Sequence, residues 1–161
     1  MSHKINFTGV LATSINFLAS ALFSFFLTNS LTNNNDALNL VANVFSILSG
    51  FLLLVITMSG ENSSIMANLS ALDIANQERR FTMRFNKYYA LFLLYILTLA
   101  LIFVYYLLSK EKNNAGELKL LIRNSLGYII SFLTCFSFIQ STFIPLKIKE
   151  LFKEKRELNR K

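Results

Sequence analysis

Four long stretches without a charged side chain are the feature of this sequence that most limits its fold. No Asp, Glu, Lys, Arg or His occurs in residues 5–35, 37–60, 88–109 or 124–146. A helix of about 20 mostly apolar residues crosses the roughly 30 Å hydrocarbon core of a bilayer. Each stretch is therefore long enough to cross a membrane once, and none is long enough to cross it twice.

We predict an all-α polytopic membrane protein with four transmembrane helices near residues 10–31, 38–58, 89–108 and 126–144. A membrane β-barrel would show alternating polarity instead of unbroken apolar runs. The alternative is a soluble four-helix bundle, whose helices would each need a polar, charged face. Only 16% of the residues are charged, against about 25% in an average soluble domain.

The N-terminal stretch has a second interpretation, as a secretory signal peptide. Lys4 precedes the apolar run, and Ala19-Ser20-Ala21 has the small residues of a cleavage site. Cleavage there would leave three spans, which conflicts with the distribution of basic residues along the chain.

Basic residues alternate between the two sides of the predicted membrane. On one side, the N-terminus has one Lys or Arg, the connection 61–87 has four and the tail 145–161 has seven. On the other side, the short polar connection 32–36 has none and the connection before the fourth span has four. Because Lys and Arg are retained in the cytoplasm, we predict that both termini and the connection 61–87 lie in the cytoplasm. This topology and the attraction to anionic lipids account for the net charge of +7, so direct nucleic-acid binding is not expected.

The connection 61–87 is the largest segment outside the predicted spans. No Gly or Pro occurs in residues 71–108, which predicts one continuous helix whose first part extends into the cytoplasm. Apolar and basic side chains at helical spacing make this part a candidate surface for docking a cytosolic protein: Ile74, Arg79, Arg80, Phe81, Arg84, Phe85 and Lys87. The alternative is a juxtamembrane helix whose arginines contact lipid headgroups.

Tyrosine pairs and tail lysines mark the predicted membrane interfaces. Tyr88 and Tyr89 begin the third span, Tyr105 and Tyr106 end it, and amphipathic aromatic rings favour both interfaces.

The tail after Pro145 alternates apolar and basic residues, as in a helix that lies on a membrane surface. A calmodulin-type target is the alternative. The candidate interface residues of the tail are Lys147, Lys149 and Lys153.

Small and polar residues recur every three or four positions on the spans. The candidates are Asn16, Ser20 and Ser24 on the first span and Asn39, Asn43, Ser46 and Gly50 on the second, with a weaker stripe of Gly127, Ser131, Cys135 and Thr142 on the fourth. Such stripes let helices pack closely and hydrogen-bond with one another, which predicts self-association into a homo-oligomer. The alternative is the polar lining of a pore formed by several copies.

Enzymatic chemistry is not expected from this sequence. The absence of charged residues from the spans disfavours a proton relay or a charge-coupled transporter. The chain has one cysteine and one histidine, too few for a Cys/His metal site or a nucleophile–base pair. No cofactor is therefore expected.

One part of the chain resembles a known group of membrane proteins. The segment SGFLLLVITMSGENSS (49–64) is followed by Arg79-Arg80 and the span 88–108. In this arrangement residues 40–108 resemble the small four-span membrane proteins of bacterial anti-phage defence operons, of which the KwaA component of the Kiwa system is an example. The resemblance implies a homo-oligomeric inner-membrane sensor or scaffold that acts with a cytosolic effector protein. The alternative is a pore-forming or membrane-depolarising protein, either holin-like or a regulated channel.

Overall fold

The computed structural model describes residues 7–60, 71–110, 116–146, 148, 149, 153 and 156. Within these ranges, the side chains of residues 7, 8, 58–60, 71–74, 76, 77, 80 and 81 fall outside the description. The helices are α1 (Phe7–Thr32), α2 (Asn35–Gly60), α3 (Ala71–Lys110) and α4 (Glu117–Thr142). The described residues contain no strand, so the predicted all-α, four-helix fold is confirmed.

All four helices are long and apolar enough to cross a membrane. The candidate spanning ranges are Gly9–Thr32, Asn35–Thr57, Thr82–Lys110 and Glu117–Leu146. Each covers one of the predicted spans to within one residue, and most extend beyond it. The side of the membrane on which the termini lie stays a prediction.

A short turn joins α1 to α2, and Asn34 stabilises the start of α2. Its side-chain Oδ1 accepts hydrogen bonds from the backbone N–H groups of Asp36 and Ala37, both at 3.1 Å. The N–H groups in the first turn of a helix have no partner within the helix, and an Asn at this position provides one. Only Asn33 and Asn34 therefore separate the end of α1 from the start of α2.

Helix α3 is the longest helix, with 40 residues and no interruption. At 1.5 Å per residue it is about 60 Å long, twice the roughly 30 Å thickness of the hydrocarbon core. Its spanning range begins at Thr82, so residues 71–81 precede the span. The predicted long third helix is confirmed.

Helix α4 ends just before the only proline of the chain. Its last residue is Thr142, Phe143 forms a turn, and the backbone of residues 144–146 is helical again. Pro145 lacks the N–H that would continue the hydrogen-bond ladder, and its ring crowds the preceding turn. Of the tail beyond it, residues 148, 149, 153 and 156 are described and are helical. Lys149 and Lys153 are exposed, whereas Lys147 lies outside the described residues.

The helices pack as a bundle in which α1 lies mainly against α4, α4 against α3, and α3 against α2. Helix α1 makes few contacts with α2, although the two are consecutive in the chain. The centre of the bundle is aromatic, because the ring of Phe45 stacks on Tyr95 at a centroid distance of 5.0 Å and lies 5.6 Å from Phe138. Helices α2, α3 and α4 therefore meet at Phe45.

Candidate functional site

A seam of polar side chains holds α1 against α4. Asn16, Ser20 and Ser24 are all buried. The Asn16 amide Nδ2 donates to the carbonyl oxygen of Phe136 at 3.3 Å, and the Ser24 hydroxyl donates to that of Tyr128 at 2.8 Å. Hydrogen bonds of this kind stabilise membrane helix pairs by about 0.6 kcal/mol on average. The first-span stripe thus lies inside the subunit, in what we call the α1–α4 seam.

The seam continues toward the α1–α2 turn through a close approach at Gly127. A Cβ atom added there would lie 3.1 Å from the methyl carbon of Thr32 and 3.4 Å from that of Thr28. The Thr32 hydroxyl donates to the carbonyl oxygen of Thr28 at 2.8 Å, which fixes the orientation of this methyl group. Glycine at position 127 is therefore what allows the two helices to come this close.

Several buried hydroxyls have no hydrogen-bond partner among the described residues. They are those of Ser49, Ser131, Thr134 and Ser137. Three of these side chains recur at intervals of three residues on α4, so they share one face of that helix. The predicted stripe of α4 includes Ser131 but neither Thr134 nor Ser137, because it runs through Cys135 and Thr142. The structure shows Cys135 half-buried and Thr142 exposed.

Tyr95 is a further buried polar residue that sequence reasoning missed. Its side chain is fully buried in the middle of α3, and its hydroxyl is hydrogen-bonded to the hydroxyl of Ser141 on α4. Ser141 in turn donates to the carbonyl oxygen of Ser137 at 2.6 Å. A single tyrosine within an apolar span forms no repeating pattern that would predict its burial. Only the spacing of serine and threonine on α4 indicated polar residues near Tyr95.

The polar stripe of α2 is exposed, whereas that of α1 is buried. Its members are Asn39, Asn43, Ser46 and Gly50, and all four are exposed on the surface of the subunit. The core residues of the same helix are Val41, Phe45, Leu52 and Val55. At about 100° per residue, the stripe lies on the side of α2 directed away from these core residues. We call it the outer face of α2.

The side chains of this outer face differ in how their polar groups are satisfied. The Ser46 hydroxyl donates to the carbonyl oxygen of Ala42 in its own helix at 2.9 Å. Asn39 accepts a hydrogen bond from the Tyr106 hydroxyl at 3.0 Å. No described residue donates to or accepts from the Asn43 amide. A Cβ atom added at Gly50 would meet nothing within 4 Å, so packing within the subunit does not require glycine there.

The start of α3 presents basic side chains to solvent. Arg79 and Lys87 are exposed, as is Met83 between them. These three recur every four residues, so they form one stripe on the helix surface, and Met83 is the member that the sequence analysis missed. Arg84 and Phe85 are half-buried and take part in contacts; the Phe85 ring stacks on Tyr89 with centroids 6.0 Å apart. The side chains of Ile74, Arg80 and Phe81 lie outside the described residues.

The tyrosine pairs at the ends of the third span each divide between the core and the surface. Tyr88 and Tyr105 are buried in the bundle, with 7% and 8% of their surface exposed, whereas Tyr89 is 47% exposed. Tyr106 is half-buried, and its hydroxyl also donates to the carbonyl oxygen of Asn35 at 3.1 Å. One tyrosine of each pair is therefore part of the packing.

Two buried serines, Ser24 in the α1–α4 seam and Ser137 on α4, should respond differently to replacement by alanine. We expect Ser24→Ala to lower the free energy of unfolding by about 0.5–1.5 kcal/mol, because it removes a cross-helix hydrogen bond. Ser137→Ala removes a buried hydroxyl that has no partner, so we expect the free energy of unfolding to stay the same or to rise. Unfolding in SDS, followed by near-ultraviolet circular dichroism, measures both. An equal loss in the two variants would contradict this account of the seam.

Comparisons with models of known protein families, with curated proteins and with solved structures found no match. The resemblance of residues 40–108 to the membrane proteins of anti-phage defence operons therefore stays a prediction.

Proposed function

We propose that this chain is a non-enzymatic, self-associating protein of the bacterial inner membrane that senses membrane disturbance in anti-phage defence and holds a cytosolic effector protein. The outer face of α2 is the observation that carries the proposal, because it leaves an amide and small side chains on a membrane-spanning surface. The defence context comes from the sequence resemblance of residues 40–108. Two further features support the proposal: the long α3 helix and its exposed basic stripe.

Self-association would satisfy the polar groups of this outer face. An unpaired amide in hydrocarbon costs several kcal/mol, and the amide of Asn43 lies within the spanning range of α2 without a partner among the described residues. The same residue in a second copy provides both a donor and an acceptor. Ser46 and Gly50, one turn apart, form the small-xxx-small pattern that lets two membrane helices approach closely.

Disulfide crosslinking between copies tests this contact. Cys135, the only cysteine, is first replaced by alanine, and a single cysteine is then introduced as Ser46→Cys or Gly50→Cys. We expect oxidation in native membranes to give several times more covalent dimer from these variants than from Phe51→Cys. Phe51 is the matched control because it is 43% exposed and lies about 100° around the helix from Gly50 and about 140° from Ser46. Equal crosslinking at position 51, or no dimer at positions 46 and 50, would contradict self-association through this face.

A cytosolic partner would dock on the start of α3. The stripe of Arg79, Met83 and Lys87 places two positive charges around an exposed apolar side chain. This combination suits an acidic protein surface with an apolar centre, because complementary charge directs encounter while apolar contact contributes affinity. Met83 and Lys87 lie in the first two turns of a 29-residue spanning range, which is longer than the about 20 residues that a span needs. The continuous helix would therefore present the stripe at the membrane surface.

Charge reversal on this stripe tests the docking proposal. The protein is expressed with its neighbouring genes, purified through a terminal tag, and the soluble protein retained with it is quantified. We expect the pair Arg79→Glu and Lys87→Glu to reduce retention by about tenfold or more, since like charges facing each other cost several kcal/mol. Lys110→Glu, an exposed position at the other end of α3, is the control. Full retention by the double variant, or the same loss in the control, would count against docking at this stripe.

A pore is the second candidate function, and the outer face of α2 also favours it. If several copies turned this face toward a common axis, Asn39, Asn43 and Ser46 would line the path. Narrow pores lined by polar groups conduct without any charged residue in their walls.

The pore proposal predicts that expression collapses the membrane potential and that Asn43→Leu restores it. The reason is that leucine at this position would replace a polar group that lines the path by an apolar side chain. The membrane potential is measured with a voltage-sensitive dye in expressing cells. Thr13→Leu, which replaces an exposed polar residue on α1, is the control and should leave the collapse intact. An unchanged potential on wild-type expression would eliminate the pore and leave the scaffold proposal standing.

A further inference from the structure

A polar cavity of about 280 Å³ lies at the end of the bundle where α1 meets α2. It opens between the end of α1, the end of α3 and the first turns of α4. The side chains that line it and matter here are Asn29, Asn33, Tyr105, Arg123, Asn124 and Tyr128. Neither the proposed self-association nor the proposed docking stripe uses this cavity.

Arg123 gives the cavity its charge. The guanidinium belongs to the spanning range of α4, close to the start of that range, and the side chain is half-buried. None of the described residues that line the cavity carries a carboxylate, and none of the described residues forms an ion pair with Arg123. A charge this close to hydrocarbon is costly unless an anion neutralises it.

The neutral groups around Arg123 are also unoccupied hydrogen-bond donors. The amides of Asn29, Asn33 and Asn124 and the hydroxyl of Tyr128 make no hydrogen bond to any described residue. Each of these side chains is exposed, so its donor is accessible from the cavity. Among the described residues, the cavity has one cation surrounded by amide and hydroxyl donors and no competing carboxylate, which is the donor set that binds an oxyanion.

The walls of the cavity are fixed by packing. Gly127 lies on one side, where the methyl groups of Thr28 and Thr32 approach it closely. On another side the Tyr105 hydroxyl donates to the carbonyl oxygen of Thr32 at 3.4 Å. These contacts define two sides of the space.

We propose that this cavity binds a phosphate group, with the planar guanidinium of Arg123 contacting two phosphate oxygens and the surrounding amides donating to the others. Arginine is suited to this contact because its parallel N–H groups match the spacing of phosphate oxygens. The phosphate could be the phosphodiester of an anionic lipid headgroup, which lies at this depth of a bilayer, or a free phosphate ion. A volume near the lower limit of about 300 Å³ for small-molecule sites fits a headgroup or a free ion.

The test uses the full-length protein, purified in a neutral detergent and stripped of lipid. Native mass spectrometry measures retention of phosphatidylglycerol against phosphatidylcholine, and thermal stability is titrated with inorganic phosphate at constant ionic strength. We expect Arg123→Gln to weaken the anionic ligand by about tenfold or more, since a charge-assisted bidentate contact is lost. Lys119→Gln is the matched control, because Lys119 is also basic and half-buried but does not line the cavity. It should bind like the wild type.

Each outcome decides the proposal. Binding of phosphatidylglycerol alone identifies a lipid headgroup as the source, stabilisation by inorganic phosphate alone identifies the free ion, and binding of both shows that the phosphate group itself is recognised. Equal retention of the two lipids without stabilisation by phosphate, or equal binding by Arg123→Gln, overturns it. If Arg123→Gln loses its helical circular dichroism, Asn124→Leu decides in its place, since it keeps the charge, reduces the cavity and should also weaken binding.

Discussion

Inside a bilayer, a polar side chain has to find its partner within the protein, and this constraint organises the bundle. Lipid tails are as apolar as leucine, so burying apolar residues against a neighbouring helix gains little there. Specific contacts between α1 and α4 therefore have to stabilise the packing of these two helices. They are the hydrogen bonds that Asn16 and Ser24 donate to carbonyl groups of α4, together with the close approach at Gly127. Helix α1 is held to α4 by these contacts, and its contacts with α2 are correspondingly few.

The same constraint applies to the outer face of α2, whose polar groups also need hydrogen-bond partners. Its polar groups lie on the far side of the helix from Phe45 and Leu52, where no other helix of the described chain covers them. Ser46 satisfies its hydroxyl within α2, and Asn39 is held by Tyr106. Asn43 has no hydrogen-bond partner among the described residues. Both functional proposals for this face, a contact between copies and a hydrated path, are ways of satisfying that one amide.

Sequence reasoning predicted the fold well because the relevant signals are local. Charge-free stretches set the number and position of the helices, the absence of Gly and Pro set the length of α3, and the Asn residues between α1 and α2 indicated a short turn. The orientation of each helix about its own axis was not predictable in this way. The stripes of α1 and α2 have the same spacing, yet one is buried and the other is exposed. In a helix that is apolar on all sides, only contacts with other helices determine which side faces inward.

The cavity could not be predicted from the sequence either. Arg123 is one of four basic residues in the connection before the fourth span, and its spacing does not distinguish it from the other three. Its environment comes from three helices that converge there, and one of these is α3, through Tyr105. Helix α3 also carries Arg79 and Lys87 near its other end. No Gly or Pro interrupts it between these residues, and kinks in helices arise mostly at such positions. The unbroken helix α3 therefore links the proposed phosphate site, through Tyr105, with the proposed docking stripe, through Arg79 and Lys87.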